Sequence, residues 1–326
     1  MFKTYCLTAV FYVCTLLQIS GTALAQETYP TKPIKIVVGF GAGGITDVMA
    51  RVLAIELQKT WGQPVQVENR AGAAGVIGAE SVARAAPDGY TLLMAATSHT
   101  ITAAMREQMP YDAVKDFTAL TLLASAPNML VVRTDSSIKN LSDYLTAAKA
   151  RPGEISYATS GIGTTVHIAG ERLAQQVGVK LNHIPYKSSS QSVEAVIAGH
   201  VVSSWSSVNS ALPHINSGRV RAIGVASEKR SSFVPEVPTF GELGVKDMLS
   251  DTWIAMLAPA NLPLPVAAKI NAELARLVAR PDIRDKILGL GAQPISGVEM
   301  ASFATLLRNE IDGYARVIKA GNIKAE

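Results

Sequence analysis

Four glycines lie close together at residues 39–44, in the stretch Gly39-Phe40-Gly41-Ala42-Gly43-Gly44. Glycine has no Cβ and reaches positive φ easily, so a second molecule can approach the main chain closely. A helix that begins just after this loop, near Thr46 or Asp47, has first N–H groups without partners inside the helix. The pattern predicts a main-chain site for an anion, built from Phe40, Gly41, Ala42, Gly43, Gly44, Thr46 and Asp47.

Two other interpretations of this loop stay open. The residues fit G-x-G-x-x-G, the dinucleotide-binding pattern, and the next predicted strand, Val65–Glu68, ends on an acid placed to contact a ribose. Alternatively, the loop is a tight turn that needs glycine for packing. For Asp47, capping of the helix is favoured over ligand contact, because a carboxylate satisfies N–H groups at the positive end of the helix dipole.

A second loop of the same kind follows later in the chain. Small and hydroxyl residues run from Ser160 into a predicted helix, with a threonine as the expected N-cap. Its candidate ligand contacts are Ser160, Gly161, Gly163, Thr164, Thr165 and His167.

Further candidates follow predicted strands. Thr97 and Ser98 offer hydroxyl donors after the third strand, and Tyr186 and Lys187 offer a ring, a hydroxyl and a cation. Asn209 and Asp251 lie near the expected hinge. The remaining histidines show no metal-ligand spacing, and no set of nucleophile, base and orienting acid is evident. We therefore expect no catalytic residues, no metal and no cofactor.

The N-terminus has the features of a cleaved secretory signal. Lys3 precedes a mostly apolar run at residues 7–17, and Ala23-Leu24-Ala25 predicts cleavage before Gln26. The apolar run is short for a membrane anchor. Both cysteines, Cys6 and Cys14, fall in this signal, so the mature chain has no disulfide or thiol site. The bacterial periplasm is the expected location.

Composition narrows the class of protein. The chain of 326 residues has a formal net charge of +4, 48% hydrophobic residues and 17% charged residues. These fractions are typical of a compact α/β protein with buried parallel strands. Basic runs with interleaved aromatic residues are lacking, so nucleic acid is not an expected partner.

The order of predicted elements indicates two α/β units. Strands Lys35–Phe40, Val65–Glu68 and Thr91–Ala96 alternate with helices Thr46–Thr60 and Gly75–Ala86. A second series of strands and helices begins near Asn128. The C-terminal helices are expected to pack back on the first sheet, so that the chain crosses twice between lobes and forms a hinge.

Segments along the whole mature chain resemble the Bug receptors, the substrate-binding proteins of tripartite tricarboxylate transporters. The matching segments, in order, are Tyr29–Val38, Gly43-Gly44-x-x-Asp47, Glu68–Gly75, Pro87–Leu93, Pro110–Asp112, Tyr157–Gly163 with His167, Pro185–Lys187, Val237–Phe240 and Trp253–Pro259. The sequence departs from the family after Lys187, where Ser188-Ser189-Ser190 stand and the family usually has a glycine, and in the unusually polar stretches 97–99 and 203–209. Those positions shape the pocket, so the departures bear on ligand identity.

The resemblance implies a two-lobed α/β fold like that of type II periplasmic binding proteins, with two open sheets flanked by helices and a hinge between them. The expected division is a signal peptide at residues 1–25, lobe 1 at 26–126 and 245–326, and lobe 2 at 127–244. In the family, main-chain N–H groups and bridging waters from two glycine loops hold a small carboxylate. The implied partners are the two membrane subunits of the transporter, and we expect the receptor to be a monomer.

Two alternative functions remain at this stage. The same closing cleft would serve a ligand sensor that reports to a two-component membrane partner. An exported enzyme is the other alternative, either a nucleotide-dependent oxidoreductase or a hydrolase that uses Ser98.

Overall fold

The computed structural model describes residues 29–323. The predicted signal peptide, with Cys6 and Cys14, lies outside the described residues. Ten strands are present in the described range: β1 (Ile34–Val38), β2 (Val65–Asn69), β3 (Thr91–Ala96), β4 (Phe117–Arg133), β5 (Ser156–Thr159), β6 (Asn182–Pro185), β7 (Ser203–Ser207), β8 (Val220–Val225), β9 (Asp251–Pro259) and β10 (Gln293–Pro294).

Ten α-helices accompany these strands within residues 29–323. They are α1 (Ile45–Trp61), α2 (Val76–Ala83), α3 (Ser98–Met105), α4 (Leu141–Ala150), α5 (Thr165–Val177), α6 (Ser189–Ile197), α7 (Val208–Asn216), α8 (Leu264–Ala279), α9 (Pro281–Gly289) and α10 (Met300–Ala320). None of them is long and apolar enough to span a membrane.

One long strand, β4, belongs to both halves of the molecule. Its residues 117–127 pair antiparallel with β9, and its residues 128–133 pair with β7 on one side and β8 on the other. The first lobe is the sheet β2-β1-β3-β9-β4, with β10 on the far side of β4. The second lobe continues from β4 through β7 and β5 to β6, with β8 at its edge.

The chain passes between the lobes at Pro127 and Asn128. Proline has no N–H to donate to a ladder, so it suits a position where pairing changes partners. Asn128 N donates to Ser250 O at 3.0 Å, Ser250 N donates to Ala226 O at 2.9 Å, and Ala226 N donates to Asn128 O at 2.8 Å. Three segments of the chain are thus tied together at the hinge.

Each sheet is covered on both faces, as buried parallel strands require. On one face of the first sheet, α1, α8 and α9 bury a cluster that includes Met49, Leu53 and Ile270. On the other face, α2 and α10 pack around Val82 and Phe303. The C-terminal helices therefore pack on the first sheet, as the sequence predicted.

Two predictions of local structure were incomplete. The sequence predicted that a second series of strands and helices begins near Asn128, whereas the strand that contains Asn128, β4, begins at Phe117. Residues 97–100 were expected to form a loop, but α3 begins at Ser98. Threonine is a weak helix former. Here Thr102 Oγ1 donates to Ser98 O at 2.7 Å, and Thr100 Oγ1, which lies 2.9 Å from Thr97 O, donates to Glu310 Oε2 at 2.8 Å, so both hydroxyls have partners.

Candidate functional site

The Asp47 carboxylate holds the first glycine loop in place through hydrogen bonds. Gly43 N donates to Asp47 Oδ2 at 2.9 Å, and Asn69 Nδ2 donates to both Asp47 Oδ1 at 2.9 Å and Phe40 O at 3.0 Å. Arg51 Nη2 lies 2.9 Å from Asp47 Oδ1. These contacts, led by the hydrogen bond from Arg51, lower the pKa of Asp47 to about 2. The carboxylate is fully engaged in holding the loop.

The outer side of this loop is open. Residues 41–44 are all exposed, and a Cβ built on Gly41 or Gly43 would meet no atom within 4 Å. Gly39 differs, because a Cβ there would lie 2.8 Å from Gly75 Cα. The packing interpretation therefore applies to Gly39, while Gly41 and Gly43 stand beside free space.

Helix α1 begins at Ile45 with Gly44 as its N-cap residue, and no side chain in the described part of the chain caps it. The first-turn N–H groups of a helix lack intrahelical acceptors. With Gly43 N bound to Asp47, the N–H groups of Gly44, Ile45 and Thr46 are the donors that the loop can offer to an anion.

Glu68, the acid that the dinucleotide interpretation requires at the end of β2, is engaged with cations. It forms ion pairs with Lys35 at 2.7 Å and with Arg70 at 2.5 Å. The arrangement occupies the carboxylate that a ribose would need.

The second glycine loop has its own internal support. Gly161 and Gly163 have φ of +123° and +73°, which favour glycine. Thr164 is the N-cap residue of α5, and its hydroxyl donates to Gly161 O at 2.8 Å. Gly163 N donates to His167 Nδ1 at 3.1 Å, so this N–H is engaged by the protein itself.

A pair of stacked histidines lies behind this loop. The rings of His167 and His183 are 3.9 Å apart between centroids and inclined by 15°. His183 Nε2 is 2.6 Å from Thr159 Oγ1, which also accepts the N–H of Gly161 at 3.2 Å. Burial, then the neighbouring His183, lowers the pKa of His167 to about 3, and burial lowers that of His183 to about 4. Both rings are neutral at neutral pH and act as braces, not as charges for an anion.

The end of β3, the start of β9 and the start of α5 meet at one point. Thr97 Oγ1 donates to Asp251 O at 3.2 Å and accepts from Trp253 N at 2.8 Å. Thr252 Oγ1 lies 3.0 Å from Thr165 Oγ1. Residues 251–253 therefore connect Thr97 of the first lobe with Thr165 of the second.

Sheet topology places the first loop at the same edge. β1 and β3 are adjacent and parallel, so the loop after Val38 and the loop after Ala96 leave the sheet side by side. β9 is the next strand beyond β3. With a strand spacing of about 4.8 Å, the end of β1 lies roughly 10 Å from the start of β9. No hydrogen bond between described residues joins the two glycine loops directly.

The other predicted residues divide into two groups. Tyr186 N donates to Thr159 O at 2.9 Å, and a Cβ on Gly161 would lie 3.7 Å from Tyr186 O, so Tyr186 stands beside the second loop. Ser98, at the start of α3, and Ser160 are half-buried at the loops. Lys187 is exposed.

Asn209 and the Asp251 side chain lie elsewhere. Asn209 packs against Gly291, where a Cβ would clash with it. The Asp251 side chain lines a separate cavity behind β9 together with Trp253 and Glu310. His99, one of the histidines considered in the sequence, is buried: its Nε2 lies 2.8 Å from Ala113 O, and its ring stacks on Tyr111.

The histidine pair is the feature of the second loop that sequence reasoning missed. His183 lies on a separate strand, sixteen residues after His167, and was interpreted as an isolated structural residue. The pairing of β5 with β6 brings His183 beside Tyr157 and so within reach of α5. A one-dimensional pattern carries no signal for that contact.

Comparisons with known proteins agree along nearly the whole chain. The family model of the tripartite tricarboxylate transporter family receptor, TctC, matches residues 49–323. Protein BugT of Bordetella pertussis is 33% identical over 303 residues, covering 92% of this chain and 93% of BugT.

Two similar solved structures carry ligands. An R. palustris protein with adipate has a TM-score of 0.77 and 29% identity, covering 91% of this chain and 99% of that one. MatC from Rhodopseudomonas palustris with bound malate has a TM-score of 0.74 and 30% identity, covering 89% and 100%. The predicted two-lobed fold is confirmed by these superpositions and by the two sheets that share β4.

Proposed function

The chain belongs to the tripartite tricarboxylate transporter receptor family, and on that premise we propose that it captures a small carboxylate between its two glycine loops. The bound molecule is then delivered from the periplasm to the membrane subunits of a transporter. The observation that carries the proposal is the open, uncapped start of α1, which follows β1 at the sheet edge where β3 ends at Thr97. At that edge the Thr97 hydroxyl binds the backbone of Asp251 and Trp253, and Thr252 between them contacts Thr165 of the second lobe.

The proposed site binds negative charge with main-chain donors. Asp47 and Arg51 neutralise each other within the first loop, and the braces of the second loop are neutral. The N-termini of α1 and α5 supply the positive potential, in the manner of helix dipoles at other anion sites. A carboxylate fits this chemistry, and the adipate and malate complexes of the related structures support that class of ligand.

Closure of the lobes would follow from contacts that the ligand makes with both loops. A ligand shifts such an equilibrium by its difference in affinity for the two states. The hinge at Asn128, Ala226 and Ser250 provides the connection about which the lobes turn.

The ligand class is tested by a thermal-shift screen on the mature chain. Adipate, malate and other small carboxylates are compared with neutral sugars of similar size. Saturation at 100 times Kd stabilises a receptor by about 2.7 kcal/mol, and we expect such a rise in melting temperature for at least one acid. A rise with sugars and with no acid would contradict the proposal.

The transport and sensing functions are distinguished by identifying the membrane partner. Affinity capture on the ligand-loaded receptor from detergent-solubilised membranes should recover the transporter subunits. Recovery of a sensor kinase in their place would favour the sensor alternative. Mass spectrometry of small molecules released on denaturation identifies the natural ligand.

A further inference from the structure

A cavity of about 520 Å³ lies between α10 of the first lobe and α5 of the second. Seven charged or aromatic side chains line its wall: Arg172, Glu228, Asp251, Trp253, Glu310, Tyr314 and Arg316. We refer to it as the hinge cavity. Its volume is within the range of small-molecule sites, about 300–1,000 Å³.

The hinge cavity is separate from the space beside the glycine loops. Successive side chains of a strand point to opposite faces. In β9, Thr252 faces Thr165 at the start of α5, whereas its neighbours Asp251 and Trp253 line the cavity. The hinge strand β9 therefore separates the two spaces.

The Asp251 carboxylate lines this cavity and is only partly satisfied by the protein. Its Oδ1 is buried and has no hydrogen-bond partner among residues 29–323. Burial raises the pKa of Asp251 to about 6; a hydrogen bond from Ser125 opposes this effect and Glu228 adds to it. A buried polar atom without a partner is costly and requires an explanation.

Glu310 provides the contrast. Trp253 Nε1 donates to its two oxygens at 3.0 and 2.9 Å, and Thr100 Oγ1 donates to Oε2 at 2.8 Å. The Glu310 carboxylate is therefore satisfied by the protein, whereas Asp251 Oδ1 has no partner among the described residues. Glu228, the third acid of the wall, adds negative charge near Asp251.

Two guanidinium groups in the cavity wall also lack carboxylate partners. Neither Arg172 nor Arg316 forms an ion pair within 4 Å in the described part of the chain. Arg172 Nη1 donates to Leu249 O at 2.9 Å, which leaves its other N–H groups available. Arg316 is exposed, and its Nη2 lies 3.9 Å from a Cβ built on Gly313.

The wall between these charges is aromatic and aliphatic. Trp253 and Tyr314 lie at this wall with 3% and 9% of their surface exposed, and an aromatic ring attracts an organic cation through its quadrupole. Leu122, Ile295 and Leu306 contribute apolar surface to the same wall. A bare metal cation would be repelled by the two arginines. A molecule that carries both a cationic and an anionic group could pair with Asp251 and with the arginines at the same time.

We propose that the hinge cavity is a second binding site, specific for a small zwitterion. Its ammonium group pairs with the Asp251 carboxylate, beside Trp253 and Tyr314, and its carboxylate lies at Arg316 and Arg172. Because the wall combines α10 and β9 with Arg172 of α5 and Glu228 of the second lobe, occupancy of this site is coupled to the relative position of the lobes.

The probe is 4-aminobutanoate, with n-butylammonium as the form that lacks the carboxylate. The readout is the indole N–H resonance of Trp253 in protein labelled with ¹⁵N-tryptophan, assigned with Trp253→Phe. Trp61 and Trp205 lie outside the cavity wall and serve as internal references. Both probes should shift the Trp253 resonance saturably, and 4-aminobutanoate should bind more tightly.

Three variants locate the binding groups. Asp251→Asn should weaken both probes by roughly tenfold to a hundredfold, the range for losing a hydrogen bond to a charged group. Arg316→Gln should weaken 4-aminobutanoate towards the affinity of n-butylammonium and leave n-butylammonium unchanged. Asp312→Asn, at an exposed position of the same helix, should change neither affinity.

The variant Gly41→Leu distinguishes binding in the hinge cavity from binding at the glycine loops, because it introduces a side chain into the first loop only. In that variant the Trp253 shift should persist. The proposal is overturned if neither probe shifts Trp253 at millimolar concentration, or if Asp251→Asn binds both probes as the unmodified chain does. Either result is independent of whether carboxylates bind at the glycine loops.

Discussion

Asp47 and His167 occupy equivalent positions in the two glycine loops: each side chain accepts the N–H of the glycine four residues before it. Gly43 N lies 2.9 Å from Asp47 Oδ2, and Gly163 N lies 3.1 Å from His167 Nδ1. One brace is an anion paired with Arg51, and the other is a neutral ring. Each lobe thus shapes its loop from within and leaves the remaining donors to a ligand.

Replacing His167 by Phe should disturb the second loop specifically. Phenylalanine keeps a ring against His183 but leaves Gly163 N without its acceptor. We expect the free energy of unfolding to fall by about 1–3 kcal/mol, and carboxylate affinity to fall about tenfold, as a loss of about 1.4 kcal/mol implies. Urea denaturation and calorimetry measure the two quantities.

His167→Asn is the matched control for that variant. Asn Oδ1 is attached to Cγ, as His Nδ1 is, so the acceptor stays near its original place while the ring stack is lost. We expect Asn to restore affinity more than stability. Equal affinity of the Phe and Asn variants would mean that the acceptor does not position the loop.

The histidine pair also predicts a pH dependence of stability. The pKa values of His167 and His183 are lowered in the folded protein to about 3 and about 4, against about 6.5 in an unfolded chain. At pH values between the folded and the unfolded pKa, the unfolded state therefore binds more protons than the folded state. Their contribution is complete above about pH 6.5 and declines as the pH falls towards these folded values.

Urea denaturation of the unmodified protein and of His167→Asn, from pH 7.5 to pH 5, measures the contribution of His167 to the pH dependence of stability. The difference in unfolding free energy between the two proteins should shrink on acidification, because the variant has lost one titrating group. A difference that is constant with pH would contradict the assignment of His167 as a buried neutral ring.

Asp251→Asn should stabilise the ligand-free protein. Burial raises the pKa of Asp251 to about 6, above its unfolded value of about 3.9, so the ionised form costs stability at neutral pH. Removing the charge should add about 1–3 kcal/mol to the free energy of unfolding at pH 7.5. The gain should decline as the pH falls through 6 and vanish below about 4.

The sign of this change distinguishes two roles for Asp251, as a ligand-binding carboxylate or as a carboxylate that stabilises the fold. A structural carboxylate loses contacts when it is neutralised, so destabilisation of Asp251→Asn at pH 7.5 would contradict the account of the hinge cavity. The measurement is urea denaturation of both proteins at pH 7.5 and pH 4, with Asp312→Asn as the surface control.

Gly163 of the second lobe lies close to Met105 of the first lobe, so a substitution at Gly163 tests this contact. Its φ is +73°, and an added Cβ would lie 2.8 Å from Met105 Cε. Gly163→Ala should destabilise by about 1–3 kcal/mol through backbone strain, with a further cost from Met105. Combining it with Met105→Ala should remove the steric part, so the double variant should be less destabilised than the sum of the singles. Strict additivity in thermal unfolding would mean that the two residues do not meet.

Local patterns in the sequence predicted the alternation of strands and helices and both glycine loops. Gly43 and Gly163 could be identified because a strand, a turn of small residues and a helix follow one another within about ten residues. β4 was underestimated because Pro127 looks like an interruption, whereas the structure uses it where pairing passes from one sheet to the other.

Contacts between distant segments could not be predicted in this way. His183 reaches His167 through the pairing of β5 and β6. The direction of the Asp251 side chain depends on the register of β9, since a shift of one residue would turn it towards the second glycine loop. Such features depend on tertiary structure and leave no periodic signal.

Calorimetric titration of Gly41→Leu with a carboxylate that binds the unmodified chain tests the central claim most directly. A Cβ built on Gly41 meets no atom within 4 Å, and the same is true at the control position Gly289. We predict that Gly41→Leu lowers affinity at least about tenfold while Gly289→Leu does not. Unchanged affinity in Gly41→Leu would contradict a carboxylate site at the first glycine loop.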